Sequence, residues 1–116
     1  MAISEKAAQG QLDAYNAHDL GGFLSWYADD VQGIDHDTGE VLFASKAEMV
    51  PRYEERFRDA ALHCALVNRM VLRDVVVDHE KITASSGQRE AIVIYDVNPN
   101  GLIGRVRFSL GQKTVA

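Results

Sequence analysis

Basic residues are in deficit: 12 Lys and Arg stand against 17 Asp and Glu, for a net charge of -5. A nucleic-acid surface is normally basic, so binding to a duplex is not expected. Cysteine is nearly absent too, and the single Cys64 cannot form an internal disulfide. Its place between Leu62 and Leu66 in a strand-like run suits a small apolar core residue, with a reactive thiol as the other reading. No apolar run approaches the roughly 18 residues of a membrane span. The opening Met-Ala-Ile-Ser-Glu-Lys lacks an apolar signal region, so a cytoplasmic protein without membrane attachment is expected. Also missing are a P-loop, a dinucleotide fingerprint, a G-x-S-x-G elbow and a Cys–His pair with nucleophile character, and no cofactor is expected. There is no internal repeat, linker or low-complexity stretch. The 116 residues, 47% hydrophobic and 25% charged, fit one globular domain spanning 1–116.

What is present divides into helices first and strands afterwards. From Ser4 to Ala17, Ala7, Ala8, Leu12, Tyr15 and Ala17 recur near helical spacing, with Ser4 placed to cap. Asp19 can cap a short second helix through Phe23, Leu24 and Tyr27, closed by Asp29-Asp30. A weak alternation from Val31 to Asp37 and the turn Asp37-Thr-Gly-Glu40 lead into Val41-Leu-Phe43 as a short hairpin. Ser45-Lys-Ala-Glu48 has the form of a capping box and starts a third helix, in which Met49, Tyr53, Arg56 and Phe57 share a face and Pro51 should kink or divide the first turn. The charged patch Arg52, Glu54, Glu55, Arg56 and Arg58 reads as a solvated face with i,i+4 pairs such as Glu54 to Arg58.

After Asp59 the chain reads as an antiparallel meander with turns at Arg73-Asp74, Ser85-Ser-Gly-Gln88 and Asn98-Pro-Asn-Gly101. The order predicts an α+β fold with helices on one face of the sheet. Period-2 alternation puts Ala91, Val93 and Tyr95 on the helix-facing side, with Gly104, Val106, Phe108 and Leu110 on the next strand. Ile92 and Ile94 beside Arg105 and Arg107 fall on the other side, a mixture suited to a homodimer through the sheet.

Two residues stand out as carriers of chemistry. Asp35 follows Ile34 in a strand the first helices should cover; a desolvated carboxylate there would be a stronger base, whereas a carboxylate flanking a Thr-Gly turn is simply hydrated. His79, in Val75-Val-Val-Asp-His-Glu80, shares a strand face with Val75 and Val77 and is either a proton shuttle or a half-buried structural histidine. Of the acidic and histidine residues around these two, only Asp35, Asp37 and His79 could meet on one face, and no metal site is expected. His18 and His63 read as structural or exposed.

Ala14-Tyr-Asn-Ala-His-Asp-Leu20, Tyr27-Ala-Asp-Asp-Val31 and Ile34-Asp35 together resemble the opening of the nuclear transport factor 2-like superfamily. That superfamily includes ketosteroid isomerase and the SnoaL-type polyketide cyclases. The resemblance implies a cone-shaped, cystatin-like fold of about three N-terminal helices packed on a curved, mainly antiparallel sheet. It also implies a pocket lined by Gln11, Tyr15, Trp26, Val93, Tyr95, Val106 and Phe108. Aligned without a gap, Asp35 takes the position of the catalytic base, Tyr53 that of a pocket tyrosine and His79 that of an apolar pocket residue, so Asp35, His79 and Tyr53 become the catalytic candidates. The steroid isomerases pair their base with an oxyanion hole built from a Tyr and a protonated Asp. Those two positions fall on Gln11 and Val93, so both strong donors are missing. The resemblance therefore implies a cofactor-free isomerase or cyclase-type enzyme acting by proton transfer on a small hydrophobic carbonyl compound. The alternative is a non-catalytic small-molecule-binding or accessory dimerisation domain.

Overall fold

The computed structural model describes residues 1–115. The first helix, α1 (Ile3–Asn16), buries Ala7, Ala8, Gln11, Leu12 and Tyr15, the i, i+3 and i+4 positions of one face. It begins two residues earlier than Ser4 would set it: Ala2 occupies the cap position, and the Ser4 hydroxyl donates instead to the Arg73 carbonyl oxygen at 2.6 Å. The second helix, α2 (Leu20–Leu24), starts where expected, with the Asp19 carboxylate accepting from the Gly22 amide at 3.0 Å. It stops sooner than expected, since Gly21 and Gly22 propagate a helix poorly. Tyr27 is already in strand, opposite Ile103, so Asp29 and Asp30 are exposed strand residues.

Strand β1 (Tyr27–Asp35) turns back as a hairpin into β2 (Val41–Phe43). Helix α3 (Lys46–Arg56) follows, running on through Pro51. Half of its capping box is made as expected, the Ser45 hydroxyl accepting from the Glu48 amide at 3.1 Å, while the Glu48 carboxylate reaches one residue further back and accepts from the Ala44 amide at 2.9 Å. Four long strands complete the chain: β3 (His63–Leu72), β4 (Val75–Ala84), β5 (Gly87–Val97) and β6 (Ile103–Leu110). They form an antiparallel meander, and β1 joins it in parallel alongside β6, giving the sheet order β2-β1-β6-β5-β4-β3.

The helices cover one face of this mixed six-stranded sheet. Val76, Ala91, Val93, Tyr95, Val97, Ile103 and Val106 from the strands meet Ala7, Ala8, Leu12 and Tyr15 of α1 in the core. Phe23 ties the layers together, with its ring 4.7 Å from Tyr53, 5.0 Å from Tyr27 and 5.5 Å from Phe57. No helix among the described residues is long and apolar enough to cross a membrane.

Candidate functional site

The sheet curves around a slot closed by α1 and α3. The empty space of this slot and its mouth is about 620 Å³. Four tyrosines, Tyr15, Tyr27, Tyr53 and Tyr95, line it together with Phe23, Val93 and Phe108, and Gln11, Cys64 and Glu80 add polar atoms.

Glu80 reaches the slot because of strand parity. Along β4 the burial alternates so that Val76, Asp78 and Glu80 face the helices while Val75, Val77 and His79 face outward. The two-residue turn Ser85-Ser86 sets this register by pairing Ala84 with Gly87, which places Glu80 opposite Ala91 and Asp78 opposite Val93. The two inward acids then meet different environments. Asp78 is fully buried and held by Arg69 in a bidentate pair of 2.7 and 2.9 Å, and Arg69 also donates to Gln9 at 2.8 Å. Glu80, only 4% exposed, has no arginine or lysine within ion-pair distance among the described residues. Its polar neighbour is the Cys64 thiol, a weak donor. Burial, and secondarily the Asp78 charge, push the Glu80 carboxyl up to about 7. Burial likewise raises the phenols of Tyr27, Tyr53 and Tyr95, with the Glu80 charge adding to it, so all three remain hydrogen donors.

A chain of hydrogen bonds orients the inner end of the slot. The Tyr27 hydroxyl donates to Gln11 Oε1 at 3.1 Å, and Gln11 Nε2 donates to the Tyr95 hydroxyl oxygen at 2.9 Å and to the Ala8 carbonyl at 2.9 Å. The Tyr95 oxygen accepts here, so its own proton is not used in this bond. Gln11 stands where the resemblance puts a donor tyrosine.

Among the sequence-derived candidates, Tyr53, Gln11, Tyr15, Val93, Tyr95 and Phe108 come together on this slot. Trp26 and Val106 do not line it: Trp26 packs against Gly10 of α1, and Val106 is fully buried in the core behind the cavity. Asp35 is also elsewhere. Its Oδ1 accepts from the amides of Asp37 and Thr38 at 2.9 and 3.1 Å, so the side chain is committed to the turn between β1 and β2. His79 points to the outer face, where its ring nitrogen lies 2.8 Å from a Glu90 carboxylate oxygen. The expected pairing of Asp35 with His79 across one pocket is not made, and Glu80, next to His79 in sequence, occupies the pocket wall.

No protein-family model matches the sequence, and no curated protein matches it. Solved structures do. A ketosteroid isomerase candidate from Kribbella flavida superposes with a TM-score of 0.83 at 16% identity, covering 98% of this chain and 82% of that one. An uncharacterised cystatin-fold protein from Novosphingobium aromaticivorans gives 0.82 at 22% identity, covering 94% and 98%. A SnoaL-like protein of unknown function from Burkholderia thailandensis gives 0.78 at 21% identity, covering 95% of each chain. The chain has the nuclear transport factor 2-like, cystatin-like α+β fold that these proteins share.

Proposed function

We propose that the protein is a cofactor-free proton-transfer enzyme acting on a small hydrophobic carbonyl compound, with Glu80 as the base. The observation that carries this reading is a carboxyl set in the wall of a tyrosine-lined slot, without an ion-pair partner among the described residues and poised near neutrality. An ionised Glu80 would take the proton from the carbon beside the carbonyl. The C–H electron pair becomes the new carbon–carbon π bond, and the carbonyl π pair moves onto oxygen. The Tyr95 hydroxyl, oriented by Gln11, and the Tyr53 hydroxyl would hydrogen-bond that oxygen as it gains charge. Glu80 then returns the proton to carbon, at the same or a conjugated position.

Hydrogen–deuterium exchange at the α-carbons of 4-phenylbutan-2-one, followed by NMR in heavy water, tests this. A positioned general base contributes about a hundredfold to ten-thousandfold, so Glu80→Gln should lose that factor relative to the unaltered protein. No acceleration over buffer by the unaltered protein would sink the enzymatic reading. The absence of strong donors at Gln11 and Val93 favours a second reading, a non-catalytic module holding a small apolar molecule. Retained binding without any exchange would identify it.

A second copy of the chain is proposed to cover the outer sheet face. There Met70, Val77 and Ile94 form one cross-strand row and Leu72 and Val75 part of the next, with Met70 62% and Leu72 73% exposed. Light scattering of the eluting protein tests it, and a monomer at micromolar concentration would refute it.

A further inference from the structure

The two ends of the slot have opposite electrostatic character, and that contrast bears on what it binds. The closed end holds Glu80, with the charged Asp78 behind it, so an organic anion would be repelled there. At the open end, α3 contributes Arg52 and Arg56, one helical turn apart, both in the wall of the cavity. Arg52 is exposed and Arg56 half-buried, whereas Glu80, Tyr27 and Tyr95 are buried, which fixes the arginines at the mouth. The third arginine toward the end of this helix region, Arg58, is paired with Glu54 at 3.6 Å and Glu55 at 2.7 Å. Arg52 and Arg56 have no carboxylate within 4.0 Å among the described residues, in a chain with five more acids than bases. Instead the Arg52 guanidinium sits 5.9 Å from the centre of the Phe43 ring, and the Arg56 charge acts on the Tyr15 phenol, opposing the rise that burial causes.

We infer that the ligand is an amphipathic carboxylic acid, entering with its apolar body toward Glu80 and its carboxylate held at the mouth by Arg52 and Arg56. This deepens the reading of the slot given above and rests on that reading for the reacting end only. The polarity fixes the direction of entry: the neutral, proton-bearing end meets the acid and the tyrosines, while the charged end stays in partial contact with water. Guanidinium groups suit a carboxylate because their N–H groups match its two oxygens.

Calorimetric titration of the full chain with 3-phenylpropanoate and with its methyl ester tests this. The acid should bind about tenfold more tightly than the ester, the gain of a charge-assisted contact. The preference should collapse to within about twofold in Arg52→Gln/Arg56→Gln, with the ester's affinity unchanged, and should shrink in 1 M salt, where screening acts within about 3 Å. The variant Arg52→Lys/Arg56→Lys should restore most of the preference, which separates charge from packing. Equal affinities in the unaltered protein, a preference that survives loss of both arginines, or no binding of either probe at its solubility limit would each overturn the inference. Glu80→Gln should keep the preference for the acid while losing exchange activity. A protein with that preference but no Glu80-dependent exchange would keep the mouth assignment and refute the catalytic one.

Discussion

Replacing Glu80 by Gln should stabilise the protein, and the size of the gain should depend on pH. In the unfolded chain this carboxyl ionises near its ordinary value of 4.5, whereas in the folded protein it ionises near 7. Below 4.5 both states hold the proton and the group has no effect on stability. Between the two values the folded state binds more protons than the unfolded one, so unfolding becomes easier as pH rises. At about 1.36 kcal/mol per pH unit across that window, the accumulated cost at pH 8 is about 3 kcal/mol. Gln keeps the shape of the protonated acid and cannot ionise, so it escapes this cost. Urea unfolding of both proteins at pH 4 and pH 8 reads the difference directly, and comparing the two at each pH cancels the titration of every other group. With a slope of about 1.5 kcal/mol per molar urea, the variant's midpoint should lie about 2 M higher at pH 8 and nearly unchanged at pH 4. A difference between the proteins that is the same at both values of pH would show that Glu80 is not held protonated and would refute the argument.

Three further outcomes follow from the geometry. Asp78→Ala leaves Arg69, whose side chain is only 9% exposed, without its bidentate partner; unfolding should show a loss of about 3 to 5 kcal/mol, and a loss below about 1 would contradict the buried pair. Gly10→Ala would put a Cβ 2.2 Å from the Trp26 ring, so it should cost about 1 to 3 kcal/mol and shift the emission of the protein's single tryptophan; unchanged emission would contradict that packing. Asp35→Asn retains the oxygen that accepts from Asp37 and Thr38, so stability should stay within about 0.5 kcal/mol and ketone exchange should be unaffected. A hundredfold loss of exchange in that variant would return Asp35 to the mechanism.

The α+β layout was legible because each local signal agreed with its neighbours. The capping box at Ser45 to Glu48, the turns at Arg73-Asp74 and Ser85-Ser-Gly-Gln88 and the alternation of Ala91, Val93 and Tyr95 all have one physical reading. The parallel pairing of β1 with β6 joins residues some 70 positions apart, such as Asp35 and Phe108, and no local pattern announces it. The site was harder to read for a different reason. Val75, Val76 and Val77 are identical, so hydrophobic alternation cannot say which parity of β4 faces the helices. Choosing the odd positions brings His79 inward, and choosing the even ones brings Asp78 and Glu80 inward. The deciding signal was a turn: taking Ser85-Ser86 as a two-residue loop pairs Glu80 with Ala91, whose inward direction the β5 alternation had already set. Asp35 misled by proximity, since a carboxylate three residues before the Thr-Gly pair serves the turn first.

The cost of keeping Glu80 is itself an argument about function. A domain of this size has a net stability of about 5 to 15 kcal/mol, so about 3 kcal/mol at pH 8 is a substantial share of it. Asp78, in the same strand, shows how the fold treats an inward acid it needs for structure: it supplies an arginine with two short hydrogen bonds. Among the described residues Glu80 has no such partner, and its Cys64 neighbour is a weak donor that offsets little of the burial. A valine at this position would fit a strand whose other core residue is Val76, and it would remove the penalty altogether. Packing therefore gives no reason for the carboxyl, and the space it meets is the slot. On the proposed reading, the acid is placed there for what the slot would bind: a group that shares its proton, gives one up to it, or takes one from it.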